Sequence, residues 1–259
     1  MINKIEKLLE LSKNTARIAL DKLVWLDDED EKRYSFDEDI AREAKAVADI
    51  NIENVILEQL IPTGIDILSE ESGAISGDGN STLKFIIDPI DGTINFVRGI
   101  SKCSVSIALF DGDKPLFGVI ASYPDCVIAW GGNGIGSFLE NTKLKVSTIY
   151  DLNKGVLCTG FPSRFKFDTQ SILLQVELMS KFGKTRMLGS ASQSLLQVAK
   201  GAVECYSEKD IMLWDVAAGI AIVEGSGGRV LTTQGSSDFS LDVIACNCVN
   251  ATNVINFKK

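Results

Sequence analysis

Ile86-Ile87-Asp88-Pro89-Ile90-Asp91-Gly92-Thr93 closes an apolar run with two carboxylates, a proline, a glycine and a hydroxyl. Residues 83–87 read as a buried strand. Asp88 and Asp91 are then expected in a turn at its carboxyl end, where mixed α/β sheets place their chemistry. Pro89 stiffens that turn, Gly92 permits close backbone approach, and residues 93–97 read as a short helical turn. Hard cations such as Mg²⁺ take oxygen ligands at about 2.0–2.1 Å and leave positions for water and phosphate. Asp88, Asp91 and the Ile90 carbonyl are ligands of that kind, and the helical turn beginning at Gly92 and Thr93 offers N–H groups to an anion. An Asx-type turn that only caps the next segment is the competing reading.

The chain has 259 residues, 45% of them hydrophobic, enough for a substantial core as one large domain or two packed lobes. Its formal net charge of -9 argues against a general nucleic-acid or membrane-surface binder, and an acidic protein that handles phosphate needs cations. No apolar run approaches the ~20 residues of a membrane span. Ile5, Leu8, Leu9, Ala16, Leu20 and Leu23 recur at helical spacing, which predicts an amphipathic first helix over residues 1–24 rather than a signal or transit peptide. The six cysteines are scattered, mostly within apolar segments, and are expected as buried free thiols of a cytoplasmic protein. Cys246-x-Cys248 lies in a strand-like run and has no second pair. The absence of histidine excludes a Ser-His-Asp triad, His-based acid/base catalysis and Cys/His zinc sites. Carboxylates, hydroxyls, lysine or a metal must carry the chemistry.

Residues 27–31 and 37–39 are acidic and read as a solvated loop. Residues 40–60 read as a second helix, ended by Ile61-Pro62-Thr63-Gly64. Strands are predicted at 66–68, 83–87, 103–110, 116–122, 127–130 and 136–139, with Asp111-Gly112-Asp113-Lys114-Pro115 as a hairpin signal. Residues 141–154 read as a seam between an N-terminal lobe (1–145) carrying most candidate metal ligands and a C-terminal lobe (146–259). Beyond it, strands at 156–159, 202–206, 229–232 and 241–245 alternate with helices at 169–182, capped by Asp168, at 192–200 and at 214–224. The fold class is α/β with mixed sheets.

Two further stretches offer carboxylates. Ser69-Glu70-Glu71-Ser72-Gly73 follows a strand, so Glu70 also falls at a strand's carboxyl end; a solvated acidic turn is the alternative. Trp214-Asp215-Val216-Ala217-Ala218-Gly219 places Asp215 in the first turn of an apolar, small-residue helix, where a simple helix cap is the alternative.

Together and in this order, the Glu70 stretch, Asp88-Pro89-Ile90-Asp91-Gly92-Thr93-Ile94-Asn95-Phe96, Gly189-Ser190-Ala191, the Trp214-Asp215 stretch and Gly227-Gly228 resemble the inositol monophosphatase family. The resemblance spans nearly the whole chain. It implies an α/β (α+β) fold, a layered αβαβα sandwich of the sugar-phosphatase type with mixed sheets, and a Mg²⁺-dependent phosphomonoesterase that is usually a homodimer. By position, Glu70, Asp88 and the Ile90 carbonyl would hold one Mg²⁺, and Asp88, Asp91 and Asp215 a second. In relatives the loop before Asp49 closes over the site and helps bind a third ion. Glu70 and Thr93 would orient the attacking water, with Asp49 hydrogen-bonded to Thr93. The N–H groups of Gly92 and Thr93 would hold the phosphate.

Glu208 matches the glutamate that contacts substrate hydroxyls in the family, and Ser190 and Ala191 match residues of the same pocket; a surface glutamate after a strand is the other reading of Glu208. A carboxylate there suits a polyol or sugar monophosphate and would repel a second phosphate. Adenosine 3′,5′-bisphosphate and fructose bisphosphate remain alternative substrates. A role as regulatory partner of transcription or RNA machinery is the alternative of another class. The stretch before Asp49 departs from the family's usual pattern, which leaves Asp49 resting on position alone.

Overall fold

The computed structural model describes residues 2–28, 47–79, 81–163 and 165–247. Most of the predicted acidic loop, the opening of the second predicted helix and Cys248 therefore lie outside the described residues.

The 3.6-residue spacing of Leu8, Leu9, Ala16, Leu20 and Leu23 produces helix α1 (Ile2–Asp28), whose apolar stripe is buried together with Ile52, Ile56 and Leu60 of α2 (Val47–Leu60). Both helices cover one face of an eight-stranded sheet. Its strands are β1 (Asp66–Ser69), β2 (Gly73–Ile75), β3 (Leu83–Asp91), β4 (Cys103–Asp111), β5 (Lys114–Tyr123), β6 (Val127–Gly132), β7 (Gly136–Leu139) and β8 (Thr142–Lys143), in the order β2-β1-β3-β4-β5-β6-β7-β8. The short helix α3 (Thr93–Val97) follows β3. A second sheet, ordered β10-β9-β11-β13-β12, joins β9 (Val156–Thr159), β10 (Lys184–Arg186), β11 (Cys205–Met212), β12 (Gly228–Gln234) and β13 (Ser240–Asn247). Both sheets are mixed: β1 runs parallel to β3, and β9 parallel to β10 and β11.

Period-2 alternation sorts the side chains into layers. Phe85, Ile87, Val105, Ile107 and Val119 face α1 and α2, while Ile86, Ala108 and Ile120 face the other way. There they meet α5 (Ala191–Ala199) and α6 (Leu213–Gly225), which also pack on Cys158, Tyr206, Val243 and Ala245 of the second sheet. On that sheet's outer face, Leu157, Cys205 and Cys246 bury Leu178 of α4 (Thr169–Ser180) and the adjoining Phe182. The order of layers is helix, sheet, helix, sheet, helix. The central helix α6 is apolar on all sides because both its flanks are covered.

Several predicted elements shift. Strand β3 does not end at Ile87 but continues through Asp91. The hairpin between β4 and β5 is tighter than the five-residue signal, leaving residues 112–113 between the strands. The predicted strand at 202–206 begins only at Cys205, because Gly201 and Ala202 close a turn onto the carbonyls of Val198 and Gln197. It then runs on through the charged Glu208, Lys209 and Asp210, where a register shift absorbs them. Helix α4 stops two residues short, its last turn tightened by the Phe182 N–H on the Met179 carbonyl. Asp168 caps α4 as expected, accepting from the Ser171 N–H at 2.9 Å. The short strands β2, β8 and β10 carry too few residues to show an alternation. Cys103, Cys158, Cys205 and Cys246 are buried free thiols as expected, whereas Cys126 is exposed. Among the described residues, no helix is long and apolar enough to cross a membrane.

The layers meet most closely where β5 passes α6. A Cβ on Gly118 would stand 2.2 Å from the Ala218 carbonyl oxygen, so only glycine fits. Gly118→Ala must push α6 off the sheet, an overpacking that costs about 1–3 kcal/mol. A midpoint loss of several degrees is expected in thermal melts, since each kcal/mol is worth about 2–4 °C in a chain of this size. A melt superimposable on wild type would contradict this contact.

Candidate metal centre

The register of β3 against β4 advances from Asp88 opposite Ser106 to Asp91 opposite Ser104, three residues on one strand against two on the other. In a regular strand, residues three apart face opposite sides. The extra residue is a β-bulge, and it turns both carboxylates to the face that looks toward α5 and α6. The expected turn is thus a bulged strand end, with the same consequence for the two aspartates.

Two other elements complete the group. Ser69 pairs with Ile87, so Glu70, one residue past β1, comes alongside Asp88, and its N–H donates to the Ile87 carbonyl at 3.3 Å. Asp215 enters from the first turn of α6. One oxygen from each of Glu70, Asp88 and Asp215 lies within 4.8 Å of the others. Burial first, then repulsion from neighbouring carboxylates, raises their pKa values: the Glu70 carboxyl is pushed up to about 8, and those of Asp88 and Asp215 rise well above the usual carboxylate range. Both Asp88 oxygens are buried and receive no hydrogen bond from an N–H or hydroxyl among the described residues. A buried carboxylate without a donor, pressed against two others, is unfavourable unless a cation joins it. The three oxygen donors fit a hard divalent cation.

Asp91 is held differently. Its Oδ2 accepts from Ser190 Oγ at 2.5 Å, from the Ser192 N–H at 2.7 Å and from Ser192 Oγ, and its Oδ1 accepts from the Ala191 N–H at 3.1 Å. These bonds oppose the upward push of burial on its carboxyl. Oδ1, with one donor, keeps a further lone pair able to accept. Thr93 Oγ1 lies 3.2 Å from Asp49 Oδ1 and 3.0 Å from the Ile90 carbonyl, able to donate to either. Asp49 itself is buried in α2 behind Thr93 and does not line the cleft. Gly92 has φ +92°, and a Cβ there would press on the Gly189 carbonyl and Ser190, so glycine lets the two loops touch.

A cleft of about 480 Å³ is lined by Glu70, Asp88, Ile90, Asp91, Gly92, Thr93, Ser190, Ala191, Glu208 and Asp215, among others. Every sequence-predicted site residue except Asp49 opens onto it. Glu208 is not a surface residue after a strand. It stands within β11, half-buried, where Tyr206 Oη donates to its Oε2 at 3.1 Å and burial pushes its carboxyl up to about 7. The sequence reading passed over Ser192, which bonds Asp91 across a hundred residues of chain. It also passed over the work of Asn95, whose Nδ2 ties the carbonyls of Lys102 and Leu188 together at 2.8 and 2.7 Å. The Ser190-Ala191-Ser192 sequence at a helix start was the available signal for the first.

The sequence model of the inositol monophosphatase family matches residues 6–258. A relative from Xylella fastidiosa named Nus factor SuhB is 35% identical over 193 residues, 73% of this chain and 69% of that protein. A fructose-1,6-bisphosphatase/inositol-1-monophosphatase from Aquifex aeolicus is 33% identical over 184 residues, 70% of this chain and 68% of that protein. The crystal structure of the extragenic suppressor protein suhB from Bartonella henselae superposes with a TM-score of 0.85 at 28% identity, covering 96% of both chains. The layered fold, the clustered carboxylates and these matches agree, and the chain belongs to the inositol monophosphatase family.

Proposed function

We propose that this phosphatase-family chain is a Mg²⁺-dependent phosphomonoesterase that hydrolyses inositol monophosphate or a related polyol or sugar phosphate. The observation that carries this reading is the charge of the cleft. Six carboxylates line it (Glu70, Asp88, Asp91, Glu208, Asp210 and Asp215), with no lysine or arginine among its described lining residues. A phosphate dianion can enter only with cations.

The cation complement in this reading is two or three Mg²⁺ ions. Glu70, Asp88 and the Ile90 carbonyl would hold one, and Asp88, Asp91 through Oδ1, and Asp215 a second. When bound, such ions neutralise developing charge and polarise the phosphoryl group. The chain's own groups do the rest. Thr93 Oγ1 donates its proton to Asp49 or Ile90, so its lone pairs are turned to accept from the attacking water, and Glu70 takes up the proton that water releases. The N–H groups of Gly92 and Thr93 hold the phosphate. Glu208, with Ser190 and Ala191, receives the hydroxyls of the leaving alcohol.

A fructose bisphosphate substrate is the second reading, favoured by the name of the Aquifex relative; the charge of Glu208 weighs against it and against a nucleotide bisphosphate. The regulatory role in transcription is not favoured, because the full set of expected carboxylates is retained. We place the protein in the cytoplasm, on its buried free thiols, and expect a homodimer. Ile172, Leu173 and Val176 on α4 give a second copy an exposed apolar surface.

Phosphate release from inositol monophosphate, fructose 1,6-bisphosphate and adenosine 3′,5′-bisphosphate, with and without Mg²⁺, is expected to rank the first substrate highest. Asp215→Asn should lower that turnover by roughly a thousandfold, the several kcal/mol of charge stabilisation at stake. Preference for the nucleotide, or full activity in the variant, would contradict the assignment.

Stability should follow the raised carboxyls. With the carboxyls of Glu70 and Glu208 raised from 4.5 to about 8 and about 7, and that of Asp88 raised as well, the metal-free fold binds more protons than the unfolded chain. Its stability is therefore present at low pH and lost as pH rises through that window. The melting midpoint without metal should fall between about pH 5 and about pH 8, and Mg²⁺ should raise it more at the upper end. A midpoint flat in pH and indifferent to Mg²⁺ would argue against the site. Sedimentation equilibrium at micromolar protein should give twice the chain mass, and Leu173→Glu should reduce it; a wild-type monomer would end the dimer proposal.

A further inference from the structure

Helix α2 presents Asp49 and Glu53 four residues apart, on one helical face, and both are buried, at 1% and 3% exposure. Asp49 reaches Thr93. Glu53 reaches the other side of the same centre, the three-residue connection between β1 and β2 that carries Glu70. Its Oε1 accepts from Ser69 Oγ and from the Ser72 N–H at 2.9 Å, and its Oε2 accepts from Ser72 Oγ at 2.6 Å. The two serines bracket Glu70 and Glu71, so one carboxylate closes the connection from both ends. Glu70 lies outside this clamp, its side chain on Asp88 and Asp215.

The arrangement constrains Glu70 in a way the sheet alone does not. The parallel pairing of β1 with β3 ends at Ser69 opposite Ile87, and the antiparallel pairing with β2 resumes at Gly73. Between them, Glu70 has one backbone bond, to the Ile87 carbonyl at a long 3.3 Å. Repulsion from Asp49, Glu71 and Asp91 acts to swing the Glu70 side chain out toward water. Three donors gathered on a buried carboxylate are strong hydrogen bonds of the charge-assisted kind, and they hold the connection against that push.

We propose that Glu53 is a positioning residue for the metal centre: through Ser69 and Ser72 it fixes Glu70 beside Asp88, touching neither metal nor substrate. Together, Asp49 and Glu53 make α2 the common mount of the two groups assigned to the attacking water. The inference rests on the metal reading of the site above. Partners of this kind, which hold a ligand in place, typically change metal affinity or activity by about 10–100-fold when removed.

The test is Mn²⁺ titration of the purified, metal-free full chain, read by electron paramagnetic resonance, on wild type, Glu53→Gln, Glu53→Ala and the double variant Ser69→Ala/Ser72→Ala. The double variant keeps Glu53 and guards against a Glu53→Ala chain that does not fold. Thermal melts and kcat and KM at saturating Mg²⁺ accompany each titration. Expected are an at least tenfold weaker Mn²⁺ affinity in Glu53→Ala and in the double variant, a lower kcat with KM little changed, and partial rescue in Glu53→Gln, which retains one acceptor oxygen. Variants that melt earlier but bind Mn²⁺ and turn over as wild type does would overturn the proposal and leave Glu53 a structural clamp. A wild type that binds no Mn²⁺ would overturn the metal reading and this proposal with it. If wild type binds Mn²⁺ without hydrolysing any phosphate ester, the titration still decides the role of Glu53 separately from the proposed activity.

Discussion

Asp88 is a carboxylate buried at the junction of β1, β3 and α6, with no N–H or hydroxyl among the described residues to compensate it, and the surrounding structure answers to that constraint. Moving such a group out of water costs several kcal/mol even after relaxation, and Glu70 and Asp215 beside it add repulsion. A core selected for stability alone would place an apolar residue there. Part of the cost is offset by α6, whose N-terminal first turn favours a negative Asp215. The remainder is relieved by protonation or by a cation, so a cation bound in this centre would be coupled to folding.

The layered architecture is what holds these groups at short range. Asp88 and Asp215 come from β3 and α6, elements packed on both faces, while Glu70 sits in the short connection after β1, which Glu53 ties down through Ser69 and Ser72. The approach of α6 to the eight-stranded sheet is set by small residues, Gly118 against Ala218. A bulkier pair would lift Asp215 away from Asp88 along with the helix. Hence the small residues after Asp215 do as much for the centre as for the core.

The carboxylates were legible in the sequence because their signals are local: each follows or begins an element whose own pattern is clear, as with Leu83 to Ile87 before Asp88 and the apolar run after Asp215. Which way they face was not. A turn and a bulged strand both bring Asp88 and Asp91 to one side, and only pairing with Ser106 and Ser104 of β4 distinguishes them. The hydrogen bonds of Asp91 span about a hundred residues, so the part played by Ser192 could not be read beforehand. Glu53 lies sixteen residues from Ser69, yet its four-residue spacing from Asp49 was present in the sequence and carried information once α2 was placed. Glu208 remained divided between surface and pocket for a similar reason: its charged neighbours Lys209 and Asp210 look like the end of a strand, and only the shifted register with β13 carries the strand onward past them.

The distribution of charge along the cleft also bears on what it admits. Glu70, Asp88, Asp91 and Asp215 gather negative charge in it, and on the proposed reading a phosphate would join them only with cations. Glu208 and Asp210 line the cleft as well, and the Tyr206 hydroxyl occupies Glu208 Oε2, leaving Oε1 to accept from a neutral donor. Trp214 and Phe161 line the cleft along with these groups and have no charge to neutralise a second anion. The cleft therefore offers carboxylates and uncharged rings, and no lysine or arginine among its described lining residues. On the proposed reading, a polyol monophosphate would bring its one phosphate with cations and its hydroxyls to Glu208, whereas a second phosphate would meet the carboxylates of Glu208 and Asp210.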